Sequence, residues 1–184
     1  MFPLNLPNVL TVLRIMLVPA LVVALLGNTP DGDVIAAVVF ALASLTDFVD
    51  GYLARARAEI TTFGKLMDPL ADKLLIIAAL ISLVSLHRLA AWVAMVIITR
   101  ELAVTVLRLG ATQAGVVMGA STFGKVKTCL QIAAILAIIA VPGQPLWVSA
   151  LLYVTVVVTV LSGLDYFFGL RRRIQQAEAR GASS

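Results

Sequence analysis

Asp47-Phe48-Val49-Asp50-Gly51-Tyr52-Leu53-Ala54-Arg55 and, after a short polar run, Gly64-Lys65-Leu66-Met67-Asp68-Pro69-Leu70-Ala71-Asp72 form the stretch on which the reading of this chain turns. Asp47 and Asp50 are three residues apart and Asp68 and Asp72 four, so on helices each pair occupies one face. An apolar run beginning at Val34 leads into the first pair, and another reaching Leu86 leads out of the second. The stretch therefore reads as a helix end, a polar turn and a helix beginning, with two carboxylate pairs at similar depth.

The surrounding composition sets the solvent. Of 184 residues 61% are hydrophobic and only 13% charged, against roughly 25% charged in a soluble domain. A soluble fold of this length has too little interior for so much apolar surface, so the chain belongs in a bilayer. A crossing needs about 20 mostly apolar residues, and residues 8–27, 34–54, 69–86, 90–109, 125–141 and 146–169 approach that length. Gly27 to Asp33, Arg55 to Lys65, His87-Arg88, Gly110 to Gly124 and Pro142 to Pro145 punctuate them. The expected fold is an all-α integral membrane protein with six transmembrane helices, formed by residues 1–173 and followed by a polar tail, 174–184. The first span is expected to be retained: Met1 to Asn8 carries no basic residue, and Arg14 lies inside the apolar run.

Charge distribution gives an orientation. Arg55, Arg57, Lys65, Lys73, Arg108, Lys125, Lys127 and Arg171 to Arg173 fall at one set of span ends, and Arg88 alone marks the other. The positive-inside rule places both termini and the acidic stretch in the cytoplasm, and the protein in the cell membrane. The net charge of +4 is spread over span ends and forms no soluble basic patch, which argues against nucleic acid and for anionic lipid or phosphate partners. Arg171 to Arg173 read as a lipid anchor, and Trp92, Trp147 and Tyr153 as interfacial aromatics. Cys129 is the sole cysteine and is expected to be a buried small residue; His87 is expected to be a solvated loop residue.

A carboxylate at membrane depth costs at least about 2.5 kcal/mol, and four converging ones repel unless cations neutralise them. Hard divalent ions answer both problems, and magnesium suits an oxygen-only donor set that substrate phosphate can complete. Pairing with Arg55, Lys65 and Lys73, or capping of helix ends, would explain any one of these Asp residues. It leaves unexplained why Gly51, Ala54 and Gly64 stand among them, where missing side chains allow a ligand's close approach. An ion-coupled transporter is the rival of a different class, but its acids would form a chain across the bilayer.

Written as Asp47-x2-Asp50-Gly51-x2-Ala54-Arg55-x8-Gly64-x3-Asp68-x3-Asp72, the stretch resembles the signature of the CDP-alcohol phosphatidyltransferase family at every fixed position. The resemblance implies six helices with the motif on the cytoplasmic ends of the second and third, CDP-diacylglycerol as donor, and commonly a homodimer. It implies two divalent ions, Mg2+ or Mn2+, held by Asp47, Asp50, Asp68 and Asp72, and a nucleotide site at Gly51, Ala54, Arg55 and Gly64. Asp72 would be the catalytic base.

Asn5-Leu6-Pro7-Asn8 with Thr11 and Arg14, Thr99-Arg100-Glu101, Arg108, Gly124-Lys125-x-Lys127-Thr128 and Ser162-Gly163-x-Asp165-Tyr166 are similar to segments of family members that use sn-glycerol 3-phosphate. Inositol phosphate, serine or phosphatidylglycerol would be alternative acceptors for the same donor chemistry. An anionic acceptor gives Arg100, Arg108, Lys125 and Lys127 a common task, binding its phosphate. Snorkelling to lipid is the competing account of the lysines. For Arg100, some ten residues into its span, the competing account is an ion pair with Glu101 or Asp165.

Overall fold

The computed structural model describes residues 6–27, 29–57, 62–113 and 122–181, with side chains for 12–27, 29–46, 73–112, 123–172 and 175. Its regular structure is helical throughout: α1 (Leu6–Leu26), α2 (Gly32–Arg57), α3 (Thr62–Ser85), α4 (Ala91–Gln113), α5 (Thr122–Ala140) and α6 (Leu146–Gly181). Each expected span has its helix. Some helices run past the expected spans, however: α2 continues from 54 to Arg57, α3 begins at Thr62 and not at 69, and α6 passes Arg173 to Gly181. Apolar length measures the hydrocarbon crossing, whereas helix continuation needs only good helix formers such as the Gln, Ala, Glu and Arg residues beyond Ile174.

The chain forms two units, one of residues 1–90 and 135–145, the other of 91–134 and 146–184. In the first, α1 packs on both α2 and α3. Leu21 and Leu25 of α1, Ala36, Phe40 and Ala43 of α2, and Leu75, Ala79, Leu80 and Leu83 of α3 are buried, which is helical spacing in each case. Arg14 is also buried, at 1% exposure, and is engaged by a polar or electrostatic partner.

Three turns of this unit are joined at one end. His87 adopts φ 55°, while its N–H donates to Val84 O (3.0 Å) and the Arg88 N–H to Leu83 O (2.9 Å), a left-handed cap on α3. His87 is exposed, as expected of a loop residue. The Arg88 guanidinium donates twice to Asp33 at the start of α2, at 2.7 and 2.8 Å, and the Gln144 amide donates to Arg88 O. The Asp33 carboxylate raises the Arg88 pKa further above its ordinary value. Both side chains stay over a third exposed, so Asp33→Asn is expected to destabilise by no more than about 1 kcal/mol, measured by thermal unfolding in detergent.

In the second unit α4 and α6 run in the same direction, pairing Trp92 with Tyr153 (ring centroids 6.3 Å apart), Arg100 with Ser162, and Arg108 with the Tyr166 ring. The N-terminal part of α5 runs against them, with Lys127 opposite Glu101 and Leu130 opposite Thr155. Val104, Ala111, Tyr166 and Leu170 form one apolar cluster at the far end.

Both units turn apolar side chains outward: Met16, Val23, Val38 and Ile81 in the first, Met95, Val106, Phe123 and Val157 in the second. Glu101, Lys127, Gln131, Thr155, Thr159 and Ser162 are instead buried. Exposed hydrocarbon around enclosed polar groups is the arrangement lipid favours. Among the described residues, Phe123–Ala140 and Leu146–Arg172 are long and apolar enough to cross a membrane, and Val12–Leu26, Gly32–Thr46 and Lys73–Ser85 are shorter apolar helices. Cys129 corrects an expectation, for it lies exposed on α5. An apolar neighbourhood does not distinguish a buried face from a lipid-facing one, because both are equally hydrophobic.

Candidate active site

The acidic motif begins at Asp47 on α2 and ends at Asp72 on α3. Asp47, Asp50, Gly51, Ala54 and Arg55 stand on the last turns of α2, and Gly64, Asp68 and Asp72 on the first turns of α3. The side chains of 47–72 lie outside the described residues. Backbone positions still carry information. At 1.5 Å per residue, Asp47 is roughly 15 Å from the end of α2 and Asp72 roughly 15 Å from the start of α3, while Asp50 and Asp68 are each roughly 10 Å in. α2 and α3 are joined by the short segment 58–61 and touch each other. Counted along the helices from the 58–61 connection, Asp47 and Asp72 stand equally far in, and Asp50 and Asp68 nearly so. A donor set of four carboxylates is suited to hard divalent cations. Among the residues whose side chains are described, which exclude the motif, no group of three His, Cys, Asp or Glu could hold a metal ion.

Arg100, Arg108, Lys125 and Lys127, all in the second unit, fall into two groups. Arg100 and Lys127 converge on one carboxylate: Arg100 Nη1 donates to Glu101 Oε1 at 3.0 Å, and Lys127 Nζ donates to the same oxygen. Arg100 Nη2 donates to Ser162 Oγ at 2.7 Å, and that hydroxyl donates on to Thr159 O at 3.1 Å. A Cβ at Gly163 would come within 3.2 Å of Arg100 Cγ, so the missing side chain leaves room for the arginine stem. Arg100 is thereby held by α4 and α6 together, with its Nε buried and unpartnered. Of the two ion pairs open to it, the one with Glu101 forms; Asp165 is exposed.

Arg108 and Lys125 form the outer group. Arg108 is exposed, with its guanidinium carbon 5.7 Å from the centre of the Tyr166 ring. Lys125 is exposed because two residues on a helix are about 200° apart, which puts it opposite Lys127. Lys125 and Cys129 share the outer face of α5, Lys127 and Gln131 the inner.

Glu101, Ser162 and Gly163 were not among the expected site residues, although a signal for them exists. Thr155, Thr159, Ser162 and Tyr166 recur at intervals of four, three and four residues through an apolar span, marking a polar stripe on α6, and each is buried. Gln131 Oε1, Thr159 Oγ1 and Tyr166 Oη along this seam are buried without hydrogen-bond partners. By contrast, the groove of about 470 Å³ between α4 and α6, walled by Met95, Ala103, Leu107, Val160 and Phe167 with Arg100 at its edge, is almost wholly apolar.

Comparison with known proteins finds relatives over most of the chain. Residues 4–161 match the model of a family described as CDP-alcohol phosphatidyltransferase. The chain is 42% identical over 180 residues to the CDP-diacylglycerol--glycerol-3-phosphate 3-phosphatidyltransferase of Bacillus subtilis, covering 89% of this chain and 93% of that protein. It is 44% identical over 167 residues to the probable phosphatidylglycerophosphate synthase of Mycobacterium tuberculosis, covering 88% and 79%. A Rickettsia bellii protein bearing the same name as the B. subtilis one is 35% identical over 169 residues, covering 89% and 93%.

Proposed function

The chain belongs to the CDP-alcohol phosphatidyltransferase family, and on that premise we propose that it transfers the phosphatidyl group of CDP-diacylglycerol to sn-glycerol 3-phosphate, giving phosphatidylglycerophosphate and CMP. The observation that carries this reading is the full acidic motif, carried by α2 and α3 on either side of their connection. It is supported by relatives similar over most of their length that are named for this reaction.

In this reading Asp47, Asp50, Asp68 and Asp72 hold two divalent ions, Mg2+ or Mn2+. Bound there, these supply neutralisation of the donor pyrophosphate and polarisation of the reacting phosphorus. Gly51, Ala54 and Gly64 let the cytidine nucleotide approach the backbone, and Arg55 provides a charge for its phosphates. The acceptor hydroxyl oxygen bonds to the phosphorus that carries diacylglycerol as the bond from that phosphorus to the CMP oxygen breaks. Asp72 takes the hydroxyl proton. Arg100 and Lys127 bind the phosphate of glycerol 3-phosphate, with Arg108 and Lys125 adding to the cationic field that attracts it.

The decisive assay presents purified protein, CDP-diacylglycerol and magnesium with a panel of acceptors, following CMP and lipid product together. Glycerol 3-phosphate is expected to be used well ahead of glycerol, because the unphosphorylated alcohol leaves the cations unpaired. Faster use of inositol phosphate, serine or phosphatidylglycerol would overturn the acceptor while leaving the donor chemistry.

We further propose that all six helices cross the cell membrane, with both termini and the acidic motif on the cytoplasmic side, a reading the Lys and Arg distribution supports. In a Cys129→Ala chain, cysteines at the exposed positions 31 and 87 are then expected to react with an impermeant maleimide from outside. Cysteines at 64 and 182 should react only after permeabilisation. External labelling at 64 would put the motif on the wrong side for a cytosolic acceptor.

A further inference from the structure

Glu101 is a buried acid, 8% exposed, set between the two cations that the proposed reaction assigns to the acceptor phosphate. Lys127 on α5 and Arg100 on α4 both donate to its Oε1, so one carboxylate oxygen fixes where both charges sit. Two donors on one oxygen lie within about 6 Å of each other, a distance at which two positive charges in a low-dielectric interior repel strongly. The carboxylate between them offsets that repulsion and holds the pair at a spacing a single phosphate can span. Ser162 Oγ takes Arg100 Nη2 at 2.7 Å, and the bare Cα of Gly163 admits the arginine stem, so the guanidinium is also fixed from α6.

We infer that Glu101 is a positioning residue for the acceptor. It acts through Arg100 and Lys127, gathering both into one phosphate-binding pair without touching substrate itself. This rests on the reading of glycerol 3-phosphate as acceptor. The arrangement also permits the opposite behaviour, in which the carboxylate competes with the incoming phosphate for the same cations. The two differ in sign: positioning makes loss of the charge harmful to acceptor binding, and competition makes it beneficial.

The test is steady-state kinetics of Glu101→Gln in the full-length chain, purified in detergent, varying each substrate in turn. The expected result is at least a tenfold rise in KM for glycerol 3-phosphate with KM for CDP-diacylglycerol changed less than twofold. In a Lys127→Gln background the same substitution should add much less than it does alone, since half of what Glu101 organises is already gone. Should Glu101→Gln not purify as a monodisperse protein, Glu101→Asp, which keeps the charge and shortens its reach, is read by the same split of the two KM values. Unchanged or lowered acceptor KM, equal rises for both substrates, or full additivity with Lys127→Gln overturns the positioning role. Wild-type turnover with glycerol 3-phosphate is measured first. Its absence would sink the acceptor assignment, whereas normal wild-type turnover with unaffected Glu101 variants sinks only this inference.

Discussion

Asp72→Asn is expected to lower CMP release by about 10²- to 10⁴-fold, the usual worth of a positioned general base, while the protein still inserts and purifies as a folded species. Asn keeps the shape of Asp and removes its charge and its capacity to accept a proton. Asp47→Asn and Asp68→Asn are expected to bring release below detection because each removes an anionic oxygen donor from a set whose affinity for a hard divalent ion depends on charge, a loss that Asp72→Asn shares in addition to the loss of the base. One readout separates the loss of the base from the loss of a metal donor. Raising the magnesium concentration should recover part of the activity of the Asp47 and Asp68 variants and little of the Asp72 variant. Near-normal turnover by any two of the three, or turnover that survives EDTA, would remove the metal-dependent reading.

Arg100→Ala carries the second large effect. A charge-assisted hydrogen bond of about 1.5–3 kcal/mol corresponds to roughly a 10- to 150-fold loss in kcat/KM for glycerol 3-phosphate, and KM for CDP-diacylglycerol should hardly move. Lys127→Ala is expected to do the same with an added structural penalty, because Lys127 is 4% exposed and its removal takes a partner from buried Glu101. Comparing kinetics with thermal stability in the same preparation divides the two contributions. Lys125→Ala and Arg108→Ala serve as contrasts. Both side chains are exposed, so they should alter the ionic-strength dependence of acceptor use more than its limiting KM. A uniform loss of activity in all four variants, with both KM values rising together, would contradict a localised phosphate site.

The helical plan and the donor chemistry were legible from local information. A hydrocarbon core demands apolar runs of a set length, and turn residues interrupt them, so each of α1 to α6 coincides with a run that composition and punctuation identify. The motif is equally local, for residues three and four apart share a helix face wherever the helix sits. Where the helices stop was less legible. α2, α3 and α6 continue beyond their apolar stretches, because helix formation and burial in hydrocarbon are separate demands.

What the sequence by itself determined, then, was the solvent, the helical plan and the chemical class of the acidic residues, since each follows from composition or from spacing along one helix. Only the tertiary structure decided which polar side chains are enclosed. Lys125 and Lys127 have the same chemistry and nearly the same position, yet one faces outward and the other meets Glu101. Cys129 lies within a membrane-length apolar helix and is nonetheless on its outer face. Arg88 finds Asp33 across 55 residues, and Arg100 finds Ser162 across 62. In a soluble protein, polarity would have announced the outer face. In lipid both faces of a helix are apolar, so the face that turns inward is set by the partners that meet it from distant parts of the chain.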